Sequence, residues 1–322
     1  MLKKLSLILL AGMLNIAKVQ AQQNMPQLSQ YMLNSSYINP ATTGIGNQTE
    51  LGLVYRSQYT NYPNSNNGIG GAFSTQVLTA SVPLQFINSG VGLLILNDKT
   101  SSNTVQQQFQ LSYAYHFKIG ESVLSLGGRG GFHLMKLDGN QYVPPTSLDD
   151  PKIPKGKVFS DSRLDFNLGI HFKAEKFYVG ASLFHVNEPK FGATFNYNYR
   201  LPQNLFISGG YNYYLNDRIE LKPSLLVITD FVNPVAVNTS LLVDLDGKYW
   251  FGAGFRYGDA GIVLAGLNLM QDKLKVSYSL DLTINGNEAK AGISNELMLS
   301  YTLPTLKIGS KKTIIKTPRF NF

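Results

Sequence analysis

RLDFNLGIHF, residues 163 to 172, is the stretch that decides the fold. Leu164, Phe166, Leu168, Ile170 and Phe172 fall on one parity; Arg163, Asp165, Asn167, Gly169 and His171 fall on the other. Successive side chains of a strand point to opposite faces, so this order builds one apolar and one polar face, whereas a helix would scatter the same residues around its axis. The run from Leu274 to Ile284 repeats the pattern. Leu274, Val276, Tyr278, Leu280, Leu282 and Ile284 alternate there with Lys275, Ser277, Ser279, Asp281 and Thr283. Phe109, Leu111, Tyr113, Tyr115 and Phe117 likewise alternate with Gln108, Gln110, Ser112, Ala114 and His116.

Followed along the chain, the period of two predicts strands near 49–58, 70–82, 89–98, 104–118, 121–136, 161–173, 176–187, 203–215, 218–231, 234–245, 248–257, 260–271, 273–284 and 294–304. That is about fourteen, an even number. Turn signals separate them, among them Ile119-Gly120, Asp246-Gly247, Gly258-Asp259-Ala260-Gly261 and Asn285-Gly286-Asn287. Two connections are long: 137–160, which holds Pro144, Pro145, Pro151 and Pro154, and 188–202.

Consecutive hairpins of this kind bury one face either in a soluble sandwich or propeller, or in lipid as a closed barrel. Composition separates the two. Charged residues make up 15% of the chain, against roughly 25% in an ordinary soluble domain. The polar parity holds Gly, Ser, Gln and Asn with few charges, and aromatics gather near strand ends, as in Tyr211-Asn212-Tyr213-Tyr214. The strands also exceed the usual soluble length of about 5–6 residues. The expected fold is therefore all-β: a transmembrane outer-membrane β-barrel of about 14 antiparallel strands over 49–304.

The N-terminus agrees with export. Lys3 and Lys4, an apolar core from Leu5 to Leu14, and small residues in Val19-Gln20-Ala21 read as a signal peptide over 1–21. Its core is too short for a membrane anchor. The formal charge of +8 falls to about +5 without Lys3, Lys4 and Lys18, and Lys307, Lys311, Lys312, Lys316 and Arg319 give a short basic tail over 305–322. A nucleic-acid partner is not expected for an exported protein. With no cysteine, disulfides and thiolate metal sites are excluded.

No motif points to chemistry. Gly127-Gly128-Arg129-Gly130-Gly131 has neither the following helix nor the Lys-Ser/Thr of a phosphate loop, and close packing inside the lumen is the better reading. His116, His133, His171 and His185 lie on separate strands without metal-ligand spacing, so lumenal hydrogen bonding is expected, with no metal and no cofactor. Arg129, Arg163, Asp165, Arg256, Asp281 and Glu296 fall on the polar parity and are expected to form a lumenal polar network. No nucleophile, base and orienting group assemble at recognisable spacing, so no catalytic residue is assigned.

The remaining segment, 22–48, shows neither period. It is too rich in Leu, Met and Tyr for a solvated linker. Pro26-Gln27-Leu28-Ser29-Gln30-Tyr31-Met32-Leu33-Asn34, followed by Ile38-Asn39-Pro40-Ala41 and Gly44, resembles the N-terminal signature of the PorP/SprF family. Tyr55-Arg56-Ser57-Gln58 and the terminal Pro318-Arg319-Phe320 are similar to further family motifs, although Thr317 stands where many members have cysteine. The resemblance implies an outer-membrane barrel of the type IX secretion and gliding motility machinery of Bacteroidetes. It further implies a partner among exported surface proteins, notably adhesins with a type B C-terminal domain, and for some members contact with the periplasmic lipoprotein ring. Segment 22–48 is expected in the periplasmic mouth or folded into the lumen as a plug, with Tyr31, Met32, Tyr37 and Ile38 against the inner wall. A pore or transporter for small solutes is the alternative function.

Overall fold

The computed structural model describes residues 25–46, 48–60, 73–99, 104–138, 158–192, 199–284 and 292–303. The expected signal peptide 1–21 and basic tail 305–322, including Pro318, Arg319 and Phe320, lie outside these residues.

The period-two segments form β1 (Thr49–Thr60), β2 (Phe73–Leu84), β3 (Ser89–Lys99), β4 (Thr104–Ile119), β5 (Ser122–Asp138), β6 (Val158–Lys173) and β7 (Phe177–Phe184). The second half supplies β8 (Asn204–Tyr211, resuming at Tyr213–Asn216), β9 (Ile219–Thr229), β10 (Ala236–Leu245), β11 (Tyr249–Arg256), β12 (Ala260–Leu269), β13 (Leu274–Thr283) and β14 (Ile293–Leu303). Each strand pairs antiparallel with its sequence neighbour, and β1 pairs with β14 from Thr49↔Leu303 to Arg56↔Glu296 and beyond. The result is a closed barrel of fourteen strands without a free edge, the one way a sheet satisfies its backbone in lipid.

The apolar parity faces outward. Phe109, Leu111, Tyr113, Tyr115 and Phe117 are all exposed, as are Leu164, Phe166, Leu168 and Ile170. Such a contiguous apolar belt is unsuited to water and suited to acyl chains. β7 ends at Phe184, three residues short of the expected 187, because His185 and Glu188 adopt positive φ (57° and 43°) and turn the chain away from the ladder. The Asp246-Gly247 turn has positive φ at both residues (55° and 65°) and closes a three-residue connection, 246–248, between Leu245 and its partner Tyr249.

Connections at the end carrying Thr49 and Leu303 are short, at 85–88, 120–121, 174–176, 217–218, 246–248 and 270–273. Those at the other end include 139–157 and 185–203. Short turns mark the periplasmic side of outer-membrane barrels and long loops the outside, so both barrel ends of the chain face the periplasm.

Candidate functional site

The lumen is occupied by the segment before β1. Met25, Leu28, Tyr31, Tyr37 and Ile38 are buried in one apolar cluster with Val54, Val77, Leu94, Leu96, Phe184, Phe206, Leu226, Ile228 and Met298. Burying a side chain of this size contributes about 1.5–3 kcal/mol. Met32 and Leu33 bridge to a second cluster of Leu242, Trp250, Ile262 and Leu264. The inner wall thus carries apolar side chains among the Gly, Ser, Gln and Asn of the polar parity.

The signature residues fall into an order set by the wall. Ser29 and Gln30 donate their backbone N–H groups to the two oxygens of Glu296, at 2.8 and 2.9 Å. The carboxylate therefore holds the backbone just before the short turn Tyr31–Leu33. Ser29 Oγ donates to Asp281 at 2.7 Å and accepts from Arg56 (2.7 Å) and Arg256 (3.2 Å). Arg56 also bonds Asp281 (2.7 Å) and Glu296 (3.1 Å), while Arg256 reaches Asp281 at 3.3 Å. All five groups are buried. Arg256 also bonds the part-exposed Asp259 at 3.2 Å, so each buried charge of the cluster has an opposite charge in contact, the condition under which buried charge is tolerated.

Further along, Tyr31 Oη lies 3.2 Å from Ser224 Oγ, and Tyr37 Oη donates to the Pro26 carbonyl at 2.7 Å. The Asn34 side-chain oxygen accepts from Ser36 Oγ at 3.1 Å. Arg129 donates to the carbonyls of Ser36 and Tyr37, and Ser182 Oγ donates to the carbonyl of Ile38. Asn39 Oδ1 accepts from the Ala41 N–H at 2.9 Å and so caps a second turn that opens on Pro40, while its Nδ2 donates to the wall carbonyl of Ile170 at 3.0 Å.

Glycine in the wall admits this descent. A Cβ at Gly127 would stand 2.5 Å from Ala41 Cα, and one at Gly169 would meet Asn39 and Pro40. Gly44 takes φ +70° where the chain passes Gly90, with its N–H on Ser81 Oγ at 2.7 Å. The glycine-rich run 127–131 is therefore in part a packing groove. From Ser29, level with Arg56 in the outer half, the segment descends to Gly44 at the periplasmic mouth.

The expected polar network is divided in space. Arg256, Asp281 and Glu296 meet, joined by Arg56 and Ser29. Arg129 serves the segment's backbone instead. Asp165 lies apart, bonded to His185 Nδ1 (2.9 Å) and Gln110 Nε2 (2.8 Å). Arg163 does not join them. Two residues nearer the outer mouth than Asp165, it bonds Asp161 on its own strand (2.9 Å) and the Lys190 carbonyl (2.8 Å), and it lines a rim cleft of about 550 Å³ with Phe132, Leu164 and Pro189. Arg56 and Ser29 carried sequence signals, as members of the two motifs, but their pairing with each other joins residues 27 positions apart through the wall.

A closed barrel with an apolar belt and an internally bonded N-terminal segment defines an outer-membrane β-barrel protein. The chain matches the type IX secretion system membrane protein family PorP/SprF over residues 20–301, and it belongs to that family. This is a family of secretion-system membrane proteins and not of enzymes. Among solved structures, the Ralstonia pickettii toluene transporter TbuX is 14% identical, with 84% of this chain and 93% of that chain covered and a TM-score of 0.51. The Pseudomonas putida toluene transporter TodX is 10% identical (88% and 95% covered, TM-score 0.48), and the Acinetobacter baumannii outer membrane protein Omp33 is 9% identical (81% and 100%, TM-score 0.46). At such identities the likeness to TbuX shows the barrel fold and nothing beyond it. A comparison with curated proteins found no match.

Proposed function

We propose that this protein is a non-enzymatic docking barrel of the type IX secretion system. It holds an exported cell-surface protein, an adhesin with a type B C-terminal domain, at the outer membrane and supports its secretion or gliding motility. The periplasmic lipoprotein ring of the machinery is a second partner. Family membership supports the system to which the barrel belongs. The observation that carries the docking role over a solute pore is the occupied lumen: the segment from Met25 to Gly44 is bonded to wall strands on several sides, and the cavity beside it, at Asn34, Thr79 and Met298, is about 70 Å³. A barrel filled from within offers partners its rims rather than its bore. The start of the 185–203 connection, where Arg163 bonds the Lys190 carbonyl, is one such surface on the outer side.

Purification from the native membrane in mild detergent, followed by identification of what accompanies the barrel, tests this reading. A stoichiometric large surface protein is expected. A barrel recovered alone that conducts single-channel currents in a planar bilayer would replace docking with solute passage.

A further inference from the structure

A second buried cluster lies away from Arg56. His133 on β5, Asp165 on β6 and His185 just beyond β7 are exposed by 1%, 0% and 1%, and one ligand atom from each lies within 4.8 Å of the others. Asp165 is held on both oxygens: Oδ1 faces His185 Nδ1 at 2.9 Å, and Oδ2 accepts from Gln110 Nε2 at 2.8 Å. Gln110 is oriented in turn by Asn167, whose side-chain oxygen also takes the backbone N–H of His185 at 2.9 Å. That bond helps to hold His185 at φ 57°, a conformation uncommon outside glycine.

The histidines are not satisfied by this frame. Both ring nitrogens of His133 and Nε2 of His185 are buried without a hydrogen-bond partner among the described residues. Buried polar atoms nearly always find partners, and a neutral imidazole carries one lone pair, so His133 and His185 each present one unused lone pair near a carboxylate, a place for an electron-pair acceptor. A His–Asp hydrogen bond accounts for His185 and Asp165 but leaves His133 idle. The two imidazole rings lie 5.7 Å apart between centroids, and Phe191, itself fully buried, packs edge-on against His133 and shields it.

We propose that His133, Asp165 and His185 bind one divalent first-row metal ion, with Zn²⁺ the best match. Two neutral imidazoles and one carboxylate form a donor set suited to zinc, and a dication offsets the carboxylate's charge in a dry setting. Ligand atoms bonded at about 2.1 Å to one ion stand about 3–4 Å apart, so the observed set closes on the ion by about 1 Å. Gln110 supplies the outer hydrogen bond that fixes a ligating carboxylate. The ion fastens β5 and β6 to the start of the 185–203 connection, where the outer rim is built. This site stands independently of the docking role.

The test uses the full protein, purified from membranes in mild detergent through a tag free of histidine. Elemental analysis is expected to find one zinc per barrel. A strong chelator removes it and lowers the unfolding temperature, and added Zn²⁺ restores both. His133→Ala and His185→Ala lose the ion, whereas His116→Ala keeps it, because that ring is already bonded to Ser125 and the Thr43 carbonyl. Heat-modifiable gel mobility reports whether each variant is folded, so a missing ion is told apart from a missing barrel. If neither ligand variant folds, chelation and zinc return on the unaltered protein decide. A folded wild-type barrel that takes up no Zn²⁺, Co²⁺ or Ni²⁺, or one whose metal persists in folded His133→Ala, overturns the proposal.

Discussion

At the scale of single residues, Glu296 has an unusual number of dependents. Its carboxylate receives the N–H groups of Ser29 and Gln30 and the guanidinium of Arg56. Glu296→Ala strands these donors and should cost about 3–5 kcal/mol, the usual loss on breaking a buried pair from one side. Glu296→Gln retains one acceptor oxygen and should cost less, about 1–3 kcal/mol. The temperature at which the heat-modifiable band unfolds should rank wild type above Gln and Gln above Ala, and equal midpoints would remove Glu296 from its anchoring role. The sequence placed Glu296, Asp281 and Arg256 on the inward parity because a strand's phase is local. It could not say that Arg129 turns to the backbone of Ser36 and Tyr37, nor that Arg163 stops at the rim. Those outcomes depend on height along the barrel axis, which register and shear set jointly across many strands. The cluster of His133, Asp165 and His185 was hidden for the same reason, since no spacing within one strand relates them.

At the scale of elements, the strands were legible almost residue by residue, and the cause is physical: lipid on one face and a packed lumen on the other enforce a period of two with little exception. The N-terminal segment announced only that it would bury apolar surface. Its course is written in the wall instead, at glycines that read locally as weak strand residues. Gly127→Val should therefore push Ala41 and Pro40 from their groove, and limited proteolysis from the periplasmic side should cut within 38–46 where wild type resists. On the opposite face, Leu111 is 60% exposed near the middle of β4. Leu111→Arg should cost about 2–4 kcal/mol if that face meets the bilayer interior, measured by urea unfolding in lipid vesicles. A neutral result there would place the belt elsewhere.

At the scale of the whole molecule, a lumen occupied from Met25 to Gly44 should pass little ionic current. A chain lacking residues 25–44 should show larger and longer openings in planar bilayers, provided gel mobility confirms a folded barrel; unchanged currents would mean that the segment is not what blocks the bore. The segment also has a place in the order of assembly. Ser29 and Gln30 touch Arg56 on the first strand, Glu296 on the last and Asp281 on the strand beside it, so they straddle the seam at which the sheet becomes a cylinder. The first and last strands, whose Arg56 and Glu296 stand 240 positions apart in the chain, are thus introduced to each other by a piece that is already tethered to one of them. The loop-closure entropy of that final pairing is large for so distant a contact, and a clasp at the hem, fastened early, would spare the nascent sheet a search for its own opposite edge.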